Sequence, residues 1–264
     1  MKAELQSAKA LCEHLSTEYN KAKSTKRFEK CDELINRLKL QLLNLNYLPT
    51  VQVSKQELLI ARDFLEVACQ VTIDKHDRDS FERYFSQLKT YYFDSAKELP
   101  ESPFMFELIG CHLLCLLSQN RLASFHAQLE LLSPHDLQHN VYIRHPVSIE
   151  QYLIEGSYNK IFVARNSVPS ERCTFFIDLL VDTIREEIAE CIEKSYERVS
   201  AKDGVRILFF DKIQQFTDYV ATRNWTKVGD YYEFPDEIKA DDTIESIKMS
   251  QEFLDYALQL EMII

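Results

Sequence analysis

Glycine is scarce in this sequence: 4 residues of 264, at positions 110, 156, 204 and 229. Four glycines can hardly build a phosphate cradle, and neither a G-x-x-x-x-G-K nor a G-x-G-x-x-G string occurs. Proline is limited to 7 residues. No apolar run approaches the ~18 residues of a membrane span, and the longest candidate, "ELIGCHLLCLLSQ", reads as a buried helix. Positive charge is in deficit, with 31 Lys and Arg against 42 Asp and Glu for a net charge of -11. Phosphate polymers and anionic membranes are on average repelled by such a chain, so the expected partners are proteins, with no nucleic acid and no membrane. Seven cysteines, at 12, 31, 69, 111, 115, 173 and 191, show no paired spacing and read as reduced core thiols of a cytoplasmic and nuclear protein. The opening "MKAELQSAKALCEHL" carries neither an apolar h-region nor a cleavage site.

What is present is helical periodicity. Leu, Ile, Glu, Lys and Gln recur at three- and four-residue spacing, a composition that favours helix. The first part divides into pairs: Lys2 to about Ala22 with Lys26 to Leu45, then "KQELLIARDFLEVACQVTI" with "FERYFSQLKTYYF", then "FMFELIGCHLLCLLSQ" with "RLASFHAQLELL". Ser54 with Glu57 has capping-box spacing, and Pro49 ends the first pair. A repeat of roughly 40 residues fits a helical solenoid, in which each pair buries its apolar face against the next. An irregular stretch, "SPHDLQHNVYIRHP", leads to the helix "VSIEQYLIEGSYNKIFVARN". Ser170 then caps a long helix running to Val199, with Phe176, Leu180, Ile184, Ile188 and Ile192 at four-residue steps.

The segment "AKDGVRILFFDKIQQFTDYVATRNWTKVGDYYEF" predicts two short helices, one begun by Ser200 and Asp203 and one spanning Lys212 to Arg223, followed by a hairpin closed at Gly229 and Asp230. The hairpin register pairs Val228 with Tyr231, Lys227 with Tyr232, Thr226 with Glu233 and Trp225 with Phe234. This is the outline of a winged helix with a core of Phe209, Phe216, Trp225 and Phe234. DNA reading fails on charge: Lys212 and Arg223 are cancelled by Asp211 and Asp218, and the preceding long helix has eight acids to four bases. The expected fold is therefore all-α with a small β-hairpin. A helical-repeat, TPR-like solenoid (residues 1–145) leads into a module with the long helix and the winged helix (146–235), then a linker and C-terminal helix (236–264).

No catalytic, metal or cofactor site is expected. In "GCHLLC" Cys111 and Cys115 share a helical face while His112 points about 100° away, and His135 and His139 lack further ligands. H-E-x-x-H and G-x-S-x-G strings are absent. The basic run "KAKSTKR", Lys21 to Arg27, reads as a solvated loop, with docking of an acidic partner as the sharper alternative. In the tail, Asp242 and Glu245 have capping-box spacing, and Lys248, Glu252, Asp255 and Gln259 gather with Glu245 into one polar stripe. Ile247, Leu254 and Leu258 line one side, Met249, Phe253, Tyr256 and Leu260 another, with Ala257 between them. So broad an apolar arc expects neighbours on two or three sides, supplied either by its own domain or by a bundle of helices from other subunits.

The strings "EGSYNKIFVAR", "TFFIDLLVDTIREEIAECIEKSYE", "RILFF", "TDYVATRNW" and "QLEMII" closely resemble the 26S proteasome non-ATPase regulatory subunit 8 family, PCI-domain lid subunits of the 19S regulatory particle. The resemblance covers about the C-terminal 110 residues in distinctive strings and the remainder in pattern, and the wing "TKVGDYY" is shorter than the family's. It implies a non-catalytic scaffold that completes the lid, helps it join the base and supports ATP-dependent degradation of ubiquitinated proteins. Its partners would be other PCI subunits, met through the winged-helix edge and the C-terminal helix. Small PCI subunits of the signalosome and of translation initiation factor 3 share this architecture and are the alternative, with a winged-helix nucleic-acid binder as a second.

Overall fold

The computed structural model describes residues 2–25, 28–43, 55–94, 99–210, 212–223, 225–234 and 246–262. Ser54 of the first capping pair, Asp242 and Glu245 of the second, Lys26 and Arg27 of the basic run, and Pro49 lie outside the described residues. Thirteen α-helices and three short strands appear among them: α1 (Lys2–Thr25), α2 (Glu29–Leu43), α3 (Lys55–Asp74), α4 (Arg78–Phe93), α5 (Met105–Ser118), α6 (Leu122–Leu129), α7 (Pro134–His139), α8 (Val141–Ile154), α9 (Tyr158–Ala164), α10 (Glu171–Ser195), β1 (Arg198–Ser200), α11 (Ala201–Ile207), α12 (Ile213–Thr222), β2 (Thr226–Val228), β3 (Tyr231–Glu233) and α13 (Ser246–Glu261). The chain divides into two compact units, residues 1–188 and 189–264.

In the first unit α1 packs on α2 and α3, α3 on α4, and α5 on α6 and α8. The core is built from the apolar periodicity of these helices: Phe64, Phe81, Phe85, Leu108, Ile109, Phe125 and Phe176 are almost wholly removed from water. Phe81 joins α4 to α10 through Phe176, ring centroids 5.1 Å apart. A chain so poor in glycine must still turn. At the end of α8 Gly156 takes φ +67, with Gly156 N–H donating to Leu153 O and Ser157 N–H to Tyr152 O, the paired bonds of a left-handed helix stop. The same two bonds close α3 with His76 at φ 61 and α5 with Asn120 at φ 55, residues that carry a side chain where glycine is usual.

Three sequence expectations are corrected here. The stretch expected to be irregular forms α7 and α8: Ser133 and Asn140 cap them by accepting from Asp136 N–H and Tyr142 N–H, and Pro134 occupies the first turn of α7 without loss of a bond. The helix expected over 147–166 is two helices, because Gly156 stops the first. The long helix ends at Ser195 rather than Val199, since Val199 buries its side chain in a strand that pairs with β3 and Ser200 needs extended backbone to cap α11. The sheet therefore has three antiparallel strands in the order β1-β3-β2, with the hairpin register as expected and Gly229 at φ +65 in its loop.

Two positions in the first unit yield tests. Pro146, inside α8, has no N–H to give the Tyr142 carbonyl, and Gly110 of α5 packs against that carbonyl so closely that a Cβ would stand 2.5 Å from its oxygen. Gly110→Ala is expected to cost roughly 1–3 kcal/mol by forcing α5 off α8, read as a lower urea midpoint with an unchanged slope. His112 is buried against Phe85, rings stacked at 4.1 Å, and its Nδ1 has no hydrogen-bond partner among the described residues. Burial lowers its pKa from 6.5 to about 4, so the folded protein refuses a proton that the unfolded chain accepts. The stability this contributes is whole above pH 6.5 and is lost as pH falls toward 4, by up to roughly 3 kcal/mol. His112→Met should flatten that part of the stability profile, measured by urea unfolding at pH 7 and pH 4.5.

Candidate functional site

The most informative surface is α13. Its sixteen residues contain no buried side chain. Ile247 is 77% exposed and Phe253 73%, and Met249, Leu254, Tyr256, Leu258 and Leu260 are each at least half exposed, as is Met262 beyond the helix end; Ala257 is exposed with them. At 100° per residue these apolar positions cover roughly 200° of the helix, while Lys248, Glu252, Asp255 and Gln259 fill a narrow opposite stripe. An exposed apolar face of this breadth marks a site for another surface.

The second cluster surrounds Phe216 on α12, which is completely buried. Its ring meets Tyr232 edge-on at 5.4 Å, Trp225 at 6.3 Å and Phe210 at 6.2 Å. Phe234, half-buried, stands edge-on to Trp225 at 4.8 Å. Gly204 makes the space: a Cβ there would lie 2.5 Å from the Phe216 ring tip, which is why α11 tolerates a glycine in its middle. Phe209 is half-buried and sits at φ 54, a conformation that costs a bulky residue about 1–3 kcal/mol. The turn it makes lets Phe210 N–H close α11 on Val205 O.

Sequence reasoning missed Glu193 of α10, whose Oε1 accepts from Trp225 Nε1–H at 2.7 Å and from Arg223 Nη1 at 3.2 Å. The signal was there, because a buried indole N–H needs an acceptor and a long acidic helix precedes it. Arg223 also lies over the Tyr219 ring at 5.9 Å, so the arginine that closes α12 is engaged within the domain. Arg198 likewise covers Tyr231 at 5.3 Å. The "GCHLLC" side chains go separate ways: Cys111 to Cys173, His112 to Phe85, Cys115 toward the Gln119 amide. Among the described residues no three His, Cys, Asp or Glu side chains are placed to hold a metal ion. No helix among them is long and apolar enough to cross a membrane.

Residues 103–242, more than half the chain and the whole run from α5 to β3, match the family model described as the CSN8/PSMD8/EIF3K family. The chain belongs to the CSN8/PSMD8/EIF3K family. It is 37% identical over 257 residues to "26S proteasome non-ATPase regulatory subunit 8 homolog A" of Arabidopsis thaliana, covering 93% of this chain and 95% of that protein. It is 38% identical over 212 residues to "26S proteasome non-ATPase regulatory subunit 8" of Caenorhabditis elegans, covering 80% and 84%. It is 31% identical over 255 residues to "26S proteasome regulatory subunit RPN12" of Saccharomyces cerevisiae, covering 90% and 93%. A mostly helical chain with one small sheet fits a PCI-type domain, and the segment matched by the CSN8/PSMD8/EIF3K model contains the Phe216 cluster but ends before α13.

Trp225 is the position to test. Trp225→Ala should cost ~3–5 kcal/mol and lower hydrogen-exchange protection across residues 198–234 before it touches the first unit. Trp225→Phe keeps most of the packing and removes only the indole donor to Glu193, so it should cost less, ~1–3 kcal/mol.

Proposed function

We propose that this protein is a non-catalytic scaffold subunit of the 26S proteasome regulatory-particle lid, supporting lid completion, the joining of lid to base and ATP-dependent degradation of ubiquitinated proteins. The observation that carries this reading is an apolar sixteen-residue helix with every described side chain exposed, in a chain whose relatives are named as proteasome regulatory subunits. On this reading residues 1–145 are a TPR-like solenoid, 146–235 a PCI module whose α11, α12 and sheet form a winged helix, and 236–264 a linker with a bundle helix. Ile247, Met249, Phe253, Leu254, Tyr256, Ala257, Leu258 and Leu260 are the interface; Phe209, Phe216, Trp225 and Phe234 hold the winged helix. Partners are other PCI subunits in the cytoplasm and nucleus, with no enzymatic activity, nucleic acid or membrane involved.

Physical support for a protein-facing winged helix comes from its charge. A groove-reading helix needs free basic side chains, whereas residues 211–223 sum to zero charge and Arg223 is tied to Glu193. Burying about six of the α13 side chains at ~1.5–3 kcal/mol each would give a gross gain of roughly 10 kcal/mol before ordering costs. That is enough to hold a subunit in a complex.

Deleting residues 243–264 should leave the remaining chain folded, with its melting temperature nearly unchanged, because α13 buries nothing in the isolated protein. The same deletion should strongly reduce co-purification of the other lid subunits with the tagged chain, read by quantitative mass spectrometry. A truncated chain that unfolds, or that assembles as well as the full one, removes α13 from the assembly role.

A further inference from the structure

Cys111 on α5 and Cys173 on α10 are both fully buried, and their sulfur atoms stand 3.2 Å apart. Among the described residues no other two thiols come within hydrogen-bonding distance of each other. The pair is held by polar contacts toward both ends of the two helices. On one side Arg172 Nη1 donates to Glu107 Oε2 at 2.8 Å and Ser170 Oγ to Glu107 Oε1 at 2.5 Å. On the other, Thr183 Oγ1 donates to Ser118 O at 2.9 Å and Asn120 Nδ2 to Glu187 Oε1 at 2.8 Å. Residue numbers rise together along both helices at these contacts, so α5 and α10 run side by side in the same direction, with the thiols facing across the seam.

We propose that Cys111 and Cys173 are a redox-responsive staple: on exposure to a hydroperoxide they form a reversible disulfide that joins α5 to α10 within the first unit. A disulfide bond is about 2 Å long, so the sulfurs have roughly 1 Å to close. In the first step one sulfur, as thiolate, attacks the peroxide O–O bond, becoming a sulfenic acid and releasing hydroxide. In the second, the other sulfur, as thiolate, displaces hydroxide from the sulfenic acid and the S–S bond forms. The two thiol protons combine with the two hydroxides as water. The two sulfurs together lose two electrons and hydrogen peroxide gains them.

The site sets its own threshold. The hydrogen bond with Cys173, together with burial, holds the Cys111 thiol well above the usual range, so little thiolate is present and brief exposure leaves the pair reduced. Once made, the bond closes a long loop of chain between α5 and α10 and removes freedom from the unfolded state. Oxidation therefore stiffens the unit.

The test treats the native full-length chain with hydrogen peroxide, blocks remaining thiols with N-ethylmaleimide and maps cross-links by mass spectrometry without reductant. The expected result is a Cys111–Cys173 peptide lighter by two hydrogens, abolished by dithiothreitol, with Tm raised by roughly 5 °C or more and no such rise in Cys173→Ala. Recovery of both residues as blocked thiols or sulfinic acids, under conditions that fully oxidise the exposed Cys191, overturns the proposal. So does a cross-link that forms only in denaturant. Both of those outcomes are read on the unsubstituted protein, so the test stands even if the alanine variant fails to fold.

Discussion

The apolar stripe on α10 is the constraint from which the packing of the first unit follows. Phe176, Leu180, Ile184, Ile188 and Ile192 recur every four residues, and all five are buried. A helix with such a stripe cannot stand in water, so other elements must be laid along it. In the first unit α5 runs beside it, with Phe81 of α4 packed on Phe176 and the Glu107–Arg172 pair closing the start of the seam. That pair is only slightly exposed at either partner, and Arg172 reaches a second oxygen at Tyr19 while Tyr19 donates to Asp74, so the charge is shared through α1 and α3. Removing one partner of a buried ion pair of this kind leaves an uncompensated buried charge, which is strongly destabilising. In the second unit the last turns of α10 present Glu193 to Trp225 and Arg223, which fixes where the hairpin's first aromatic sits.

Scarcity of glycine shapes the local structure as much as the apolar pattern does. Two of the four glycines are used for closeness, Gly110 under the Tyr142 carbonyl and Gly204 under the Phe216 ring, where any Cβ would collide. That leaves Gly156 and Gly229 for positive φ, and among the described residues three further left-handed turns fall to His76, Asn120 and Phe209. Each of these has something to offset its strain. His76 sets its ring on Phe175 at 4.6 Å, Asn120 donates to Glu187, and the turn at Phe209 brings Phe210 onto Phe216 and Tyr219. Helix stops made this way also aim a side chain, which glycine cannot do.

How much of this was legible in advance follows from the range of the forces involved. Four-residue spacing along α10 and two-residue alternation in the hairpin are local records of which face is buried, and both the stripe and the pairing of Thr226 with Glu233 could be read directly. The third strand could not. Arg198–Ser200 continues a helical pattern in composition, and only pairing with β3, more than thirty residues on, gives Val199 a better place to bury its side chain. Pro146 misled for the opposite reason: proline argues locally against a helix interior, but the tertiary contact of α5 on α8 outweighs the lost bond. That Trp225 needs an acceptor was legible, but which acid of the long helix supplies it was not, because a partner about thirty residues away leaves no periodic trace. The breadth of apolar surface on α13 was legible; that none of it is covered was not, since periodicity gives the width of a buried face and not its occupant.

The exposure of α13 has a further consequence for how such a helix persists. An isolated helix of sixteen residues is marginal in water, because propagation barely offsets the cost of the first turn. Propensity here is helped by Leu, Met, Glu, Gln and Ala but not by the Ile, Phe, Tyr and Ser among them. On the proposed reading, full helicity belongs to the assembled state, where apolar neighbours on both flanks reward it and the narrow polar stripe remains in water. Ordering would then be part of the binding step and would reduce the net affinity below what the buried area suggests. The surplus of negative charge acts in the same direction on specificity. A protein of net charge -11 repels other acidic surfaces at long range, so an apolar helix carried on it is shielded from casual contact and engages where shape and burial outweigh that repulsion.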